Sequence, residues 1–277
     1  MNVRITVLSD NTVNHPGLMG EHGLSFLIER GDKVLLFDTG QGQVLRTNAE
    51  RLKIDLSRVR NVVLSHGHYD HTGGLKTVLA QGREVSVFAH PEVLGKKLSI
   101  RKGQRRAIGI PWSQAELEHA GAVFHLSTEP MDVADGMMTT GQVRRITEFE
   151  DVDPAFYVEQ DGKVVHDDLM DDLSLIVDTP QGLVLLLGCC HAGVINTLWR
   201  VVDLTGTRRF AAVIGGMHLT SAKEKRLHQT IHALRAFDIQ RLVPGHCTGL
   251  RGFIRLWNEL GEDTVHAVGV GDRWSFS

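Results

Sequence analysis

The chain of 277 residues has only three cysteines, no large excess of charge of either sign and no apolar run long enough to cross a membrane. Each shortage excludes something. Cys189, Cys190 and Cys247 are odd in number and partly adjacent, which argues against a disulfide framework and for a reducing compartment, so the cytoplasm is the expected location. A formal charge of -3 and a pI near 6.6 offer nucleic acid or anionic lipid no general attraction, and no appended basic or aromatic-rich segment is visible. The opening stretch from Met1 to Leu8 is too short and too alternating for a signal peptide and reads as a first strand. What remains is an ordinary globular composition, 42% hydrophobic and 23% charged, with 29 glycines for tight turns. The length suits one large domain, residues 1–277.

Against that background one segment stands out. His66-Gly67-His68-Tyr69-Asp70-His71 follows the apolar strand Val62-Val63-Leu64 and precedes Thr72-Gly73-Gly74. Neutral imidazole and carboxylate are ligands that zinc, iron and manganese accept, and four such groups in six residues would otherwise crowd together without partners. In a near-extended segment His66, His68 and Asp70 project to one side and His71 to the other, so one loop can serve two adjacent metals. An isolated His-x-His would fit a surface loop; the full four-donor pattern points to metal.

The chain also repeats itself. Leu24 to Gly40 and Leu173 to Cys189 each read as an apolar strand, a polar glycine-containing turn and a second apolar strand. Asn61 to Ser65 before the histidine loop matches Phe210 to Ile214 before Gly215-Gly216-Met217-His218, and Glu84 to His90 matches Gln240 to His246. Ligand-capable residues thus collect where strands end, which predicts one site shared by two halves. Helices are expected over 42–53, 74–81 and 252–260, and behind two capping boxes, Ser113-x-x-Glu116 and Ser221-x-x-Glu224, the second followed by the stripe Leu227, Ile231, Leu234. The pattern predicts an α/β body with two sheets packed between helices.

The succession Phe37-Asp38-Thr39-Gly40, His66 to His71, then later single histidines resembles the metallo-β-lactamase superfamily over nearly the whole chain. Gly20-Glu21-His22-Gly23, Gly188-Cys189-Cys190-His191-Ala192-Gly193, Gly216-Met217-His218 and Pro244-Gly245-His246-Cys247 are similar to the branch named for a dihydropterin (ribofuranosyl)aminobenzene phosphate synthase. The resemblance implies a four-layer αββα sandwich of two pseudo-repeated halves with a metal site at one edge. It places His66 and His68 on a first metal, Asp70 and His71 on a second, Asp38 behind the loop as its orienting carboxylate, and His246 as the residue completing the second metal. One departure is evident: the bridging aspartate of most relatives is replaced by the Cys189-Cys190-His191 turn. His191 is then the third ligand of the first metal, and the bridging carboxylate is missing or comes from elsewhere, with Asp172 as the candidate.

The remaining polar residues each have an ordinary reading. Cys189 and Cys190 read as small buried fillers in preference to thiolate ligands. His218 is balanced between a structural role and donation to a substrate oxyanion or a metal. His90 caps a turn before Pro91, and His228 and His232 lie on a solvated helix face. Glu21 and His22 are candidates for substrate binding or for a turn. Arg101, Lys102, Arg105 and Arg106 fall in the least regular segment, 91–172, where Arg101 and Arg105 are candidates for a lid that neutralises a phosphate or carboxylate, set against simple hydration.

The expected activity is metal-dependent hydrolysis of a small anionic substrate, phosphorylated or pterin-like, through a metal-bound hydroxide. A metal lowers the pKa of water from about 15.7 to about 7, and Asp70 and His218 are the candidate catalytic groups. Zinc, as one or two ions, is the first expectation, with manganese or iron as others. An iron-dependent redox enzyme such as a thiol or persulfide dioxygenase, and a non-catalytic ligand-binding or sensory relative, are the competing classes. A small molecule is the only expected partner.

Overall fold

Hydrophobic patterning dictates where each strand lies. The computed structural model describes residues 2–277. β1 (Val3–Ser9), β2 (Ser25–Arg30), β3 (Lys33–Phe37), β4 (Asn61–Val63) and β5 (Val85–Ala89) lie side by side in that order. β6 (Lys96–Arg101) and β7 (Gln104–Ala107) leave this sheet, and β8 (Ala122–Leu126) returns to its edge. β9 (Asp132–Ala134) and β10 (Met137–Thr139) open a second sheet, while β11 (Phe156–Gln160) and β12 (Lys163–His166) turn aside to pair with β6 and β7 in a third. β13 (Leu175–Thr179), β14 (Gly182–Leu187), β15 (Arg209–Gly216), β16 (Asp238–Ile239) and β17 (Leu242–Gly245) complete the second sheet, and β18 (Arg273–Phe276) closes the first against β1. The internal repeat is real in the topology. β2 and β3 form an antiparallel hairpin to which β4 and β5 add in parallel, and β13, β14, β15 and β17 repeat that plan.

Alternation then assigns the layers. Leu35 and Phe37 of β3 and Val184 and Leu186 of β14 point between the two large sheets, whereas Leu36 and Leu185 point outward to helices. The outer face of the first sheet is covered by α1 (Leu45–Arg51), α3 (Leu75–Leu79) and α4 (Gln114–His119), with the short α2 (Tyr69–Thr72) inside the histidine loop. The second sheet is covered by α5 (Val194–Thr205), α6 (Glu224–Leu234) and α7 (Gly249–Leu260). The result is the four-layer αββα sandwich. Because a fully buried aliphatic side chain contributes about 1.5–3 kcal/mol, a one-residue slip of any central strand would be prohibitive. No helix among the described residues is long and apolar enough to cross a membrane.

The segment 91–172 supplies β6 to β12 and the capped helix α4, where Ser113 and Glu116 form the reciprocal box, joined by longer stretches without helix or strand. One local expectation is corrected. Ser221 does not cap α6, whose N-cap is Lys223 without a side-chain bond. Ala222 is buried in a preceding turn, and Glu224 instead pairs with Arg251 and Arg255 across to α7.

Candidate metal centre

The histidine loop is held before it can hold anything else. Asp38, at the end of β3, accepts from Ser65 N and Ser65 Oγ at 2.7 Å each and from His71 Nδ1 at 2.6 Å. Ser65 Oγ in turn lies 2.9 Å from His66 Nδ1. His246, from the other half, is held by residues that follow β1: Asn11 Oδ1 lies 2.9 Å from its Nδ1, and Asp10 accepts its backbone N–H at 3.0 Å. With Nδ1 occupied in His66, His71 and His246, each ring is left to present Nε2, the arrangement that orients imidazoles for a metal.

Those nitrogens converge. His71 Nε2 is 3.2 Å from His246 Nε2 and 3.2 Å from Cys189 Sγ, and His66 Nε2 is 3.0 Å from His68 Nδ1. The rings of His66, His68 and His191 stand with centroids 4.5–5.0 Å apart. Asp70 Oδ2 lies 3.5 Å from His246 Nε2 and 3.2 Å from His22 Nε2. Four combinations of these donors lie close enough to hold an ion: His66, Cys189, His191; His71, Cys189, His246; His22, Asp70, His246; and Cys189, His218, Cys247. His68 Nε2, His191 Nε2 and His218 Nδ1 are buried without any hydrogen-bond partner, a costly state that a cation at the first two and an acceptor at the third would relieve. The donor set fits a metal.

Electrostatics agree. Burial opposes charge on His71, but the Asp38 and Asp70 carboxylates outweigh it and raise the group to about 9, so the site favours positive charge. Burial lowers His68 to about 3 and holds His66 and His191 well below the ordinary range, assisted by neighbouring imidazoles, which keeps them in the neutral form a metal requires. Burial works against the Asp70 carboxylate, yet His71 together with hydrogen bonds from His22 and His246 keeps it ionised.

The cavity over these groups has a volume of about 400 Å³. One wall is the third sheet, where Ser99 and Arg101 of β6 and Gln104 and Arg106 of β7 face inward beside Phe156. Arg106 donates to Tyr69 Oη at 2.8 Å and Arg101 to Asp153 at 2.6 Å.

Several expectations change here. Arg105 does not line the cavity: strand alternation turns it away and brings Arg106 in. Glu21 also lies outside, because its carboxylate accepts from Ser9 Oγ and the backbone N–H groups of Gln41, Gly42 and Gln43, bracing the turn after β3. His22 does line it. Asp172 joins none of the compact donor groups; its Oδ2 accepts the Ala192 N–H at 2.9 Å and braces the His191 turn, with burial raising it to about 7. The two adjacent cysteines separate: Cys190 packs into the outer core with its Sγ 3.3 Å from Thr197 Oγ1, whereas Cys189, also buried, faces the imidazoles. His90 caps the turn at Glu92, and His228 and His232 are exposed.

Three supporting features were missed from the sequence. Asp10 and Asn11, a polar pair ending an alternating strand, carried a readable signal of the same kind as Asp38. Lys97, 2% exposed, donates to Asp167 at 2.8 Å and Asp171 at 2.9 Å, and Asp171 accepts the Gly67 N–H at 2.7 Å, tying the third sheet to the histidine loop. Glu150 receives the N–H groups of Ile195 and Asn196 at the start of α5. Neither of the last two has a local sequence signature.

A ββ sandwich flanked by helices, with histidines and a carboxylate gathered at one sheet edge, places a cluster of donors that could hold a metal ion on this fold. The family model of the metallo-beta-lactamase superfamily matches residues 18–194, and the chain belongs to that superfamily. Over 273 residues it is 30% identical to the 7,8-dihydropterin-6-methyl-4-(beta-D-ribofuranosyl)-aminobenzene-5'-phosphate synthase of Methanocaldococcus jannaschii, covering 95% of this chain and 93% of that protein. The crystal structure of Tm1679, described as a metal-dependent hydrolase of the beta-lactamase superfamily, superposes with a TM-score of 0.85 at 28% identity over 98% of both chains. Zn(2+)-bound PqqB from Methylobacterium extorquens shares the fold alone, with a TM-score of 0.59 at 12% identity over 98% of this chain and 99% of that one.

Proposed function

We propose that the protein is a metal-dependent hydrolase of a small anionic substrate carrying a phosphate or a pterin-like ring. The observation that carries this reading is the set of partnerless buried nitrogens on His68, His191 and His218 around a cavity whose opposite wall presents Arg101 and Arg106. His66, His68 and His191 would hold one ion, and Asp70, His71 and His246 a second, with zinc the ion best matched to imidazole and carboxylate donors. Such an ion, when bound, supplies Lewis acidity toward water and toward the substrate oxygen.

The chain's own residues do the rest. Arg106, and Arg101 as it exchanges Asp153 for substrate, receive the anionic group, for which paired guanidinium donors are well shaped. Phe156 and Tyr69 offer flat apolar flanks on the same cavity. Asp70 stays ionised and would accept a hydrogen bond from the attacking water, orienting it. His218, with Nδ1 free of any protein partner, donates to the oxygen that gains negative charge. The name of the M. jannaschii relative specifies both a dihydropterin and a 5'-phosphate, which supports this pairing of flat and cationic walls.

The test uses protein stripped by chelation and reloaded separately with zinc, manganese or iron(II), assayed on phosphate esters, cyclic phosphates and phosphorylated pterins, with oxygen uptake on thiols followed in parallel. Metal-dependent hydrolysis of anionic substrates without oxygen uptake is expected. Absence of hydrolysis with every metal, or oxygen consumption on thiols, contradicts the reading.

A further inference from the structure

We infer that Cys189 is itself a metal ligand, standing between the two imidazole groups where the sequence supplies no bridging carboxylate. The inference rests on the reading that this cavity binds metal. It gives the centre a mixed nitrogen, oxygen and sulfur donor set, suited to zinc or iron(II) and poorly suited to manganese or magnesium.

Position is the first argument. Cys189 Sγ forms one compact donor group with His66 and His191 and a separate one with His71 and His246, so a single sulfur belongs to both halves of the centre. It lies 3.2 Å from His71 Nε2. The residue before it explains how the second half comes so near: a Cβ on Gly188 would stand 2.1 Å from Ser65 Oγ, so only glycine lets β14 end against the Asp38–Ser65 pair. Cys189 is 4% exposed, too enclosed for a general surface thiol.

The alternatives are placed elsewhere. Asp172 belongs to none of the compact donor groups, its Oδ2 accepting the Ala192 N–H, and Cys190 points to Thr197 in the outer core. Cys247 shares a donor group only with Cys189 and His218, and its sulfur already accepts the His218 N–H at 3.3 Å and donates to the Cys189 carbonyl at 3.4 Å. The unpartnered Nε2 of His191, in the same donor group as Cys189, independently marks that point as the place of a missing partner. Coordination releases the thiol proton to solvent and leaves the sulfur's oxidation state unchanged.

The test is X-ray absorption at the zinc edge on the full chain loaded with zinc. Wild type, C190S and C247S are expected to show one sulfur at about 2.3 Å beside nitrogen and oxygen at about 2.0–2.2 Å. C189S is expected to lose the sulfur contribution, and C189D, which restores a carboxylate at this point, to bind zinc through nitrogen and oxygen alone. Cobalt(II)-loaded protein gives a second readout, a sulfur-to-cobalt charge-transfer band present in C190S and absent in C189D. A wild-type shell without sulfur, or a sulfur signal that survives C189D or vanishes in C247S, overturns the inference while leaving a zinc hydrolase intact. Failure of wild type to bind zinc at all overturns both.

Discussion

The two halves of the molecule share one strand plan but stock the site in opposite ways. The first half places four donors on a single loop, where Asp70 and His71 sit in the regular turn of α2, and among its site residues Asp38 alone has a left-handed backbone, with φ of 60°. The second half contributes residues singly from three strand ends, and there Cys190, His218 and His246 adopt φ of 55°, 46° and 47°. A non-glycine residue held in that region costs on the order of 1–3 kcal/mol and persists only where surrounding packing insists on it. One half encodes its donors in local sequence, and the other spends backbone strain to aim isolated side chains at them.

If both halves are needed, removing a donor from either must be equally severe. His66→Ala and His246→Ala are each expected to abolish metal-dependent turnover while leaving the circular dichroism spectrum intact. Retention of activity by His246→Ala would confine the chemistry to the first half.

Lys97→Met probes the tie between the third sheet and the first-half loop. It strands Asp167 and Asp171 as buried unpaired carboxylates, and a loss of about 3–5 kcal/mol in denaturant unfolding is expected. Burial opposes the Lys97 charge, but Asp171 and Asp167 outweigh it and raise its pKa above the ordinary 10.5. Its contribution is therefore complete below the unfolded-state value and lost only as pH climbs through the raised one. A pH series should show wild type and Lys97→Met converging in strong alkali, where the lysine loses its proton.

The supports of the two halves are unequal. Asp38 orients His71 directly and His66 through Ser65, whereas Asn11 orients His246 alone. Asp38→Ala should weaken zinc affinity by roughly 10–100-fold, and Asn11→Ala by the low end of that range, measured by competition with a chelating dye. Arg106→Ala should raise KM for an anionic substrate by about 10-fold with kcat little changed, in keeping with about 1.5 kcal/mol for a charge-assisted hydrogen bond. Arg105→Ala should leave KM unmoved. The smallest effect concerns strain: His218→Gly should be more stable than His218→Ala by about 1 kcal/mol in urea unfolding, because glycine takes the left-handed backbone freely.

The sequence made some of this legible and hid the rest for physical reasons. Both hairpins could be read because Leu35, Phe37, Val184 and Leu186 alternate or run apolar over lengths that only strands bury. The loop His66 to His71 could be read because its donors are neighbours in the chain. The third sheet was hidden because Lys96 to Ala107 is short, polar and half-exposed, so no hydrophobic period betrays it. Choosing Arg106 over Arg105 required the register of β7, and the role of Cys189 required the meeting of β14 with Ser65 from the other half. Lys97 and Asp171 are 74 residues apart and become a pair only in three dimensions.

The central claim, that both halves enclose the metal, is tested most directly by anomalous diffraction above and below the zinc edge from crystals of zinc-loaded protein. The expected map places density within about 2.0–2.2 Å of nitrogens from both His66 or His71 and His191 or His246. Anomalous density bound only by the His66 to His71 loop, with His191 and His246 beyond ligand distance, would contradict it.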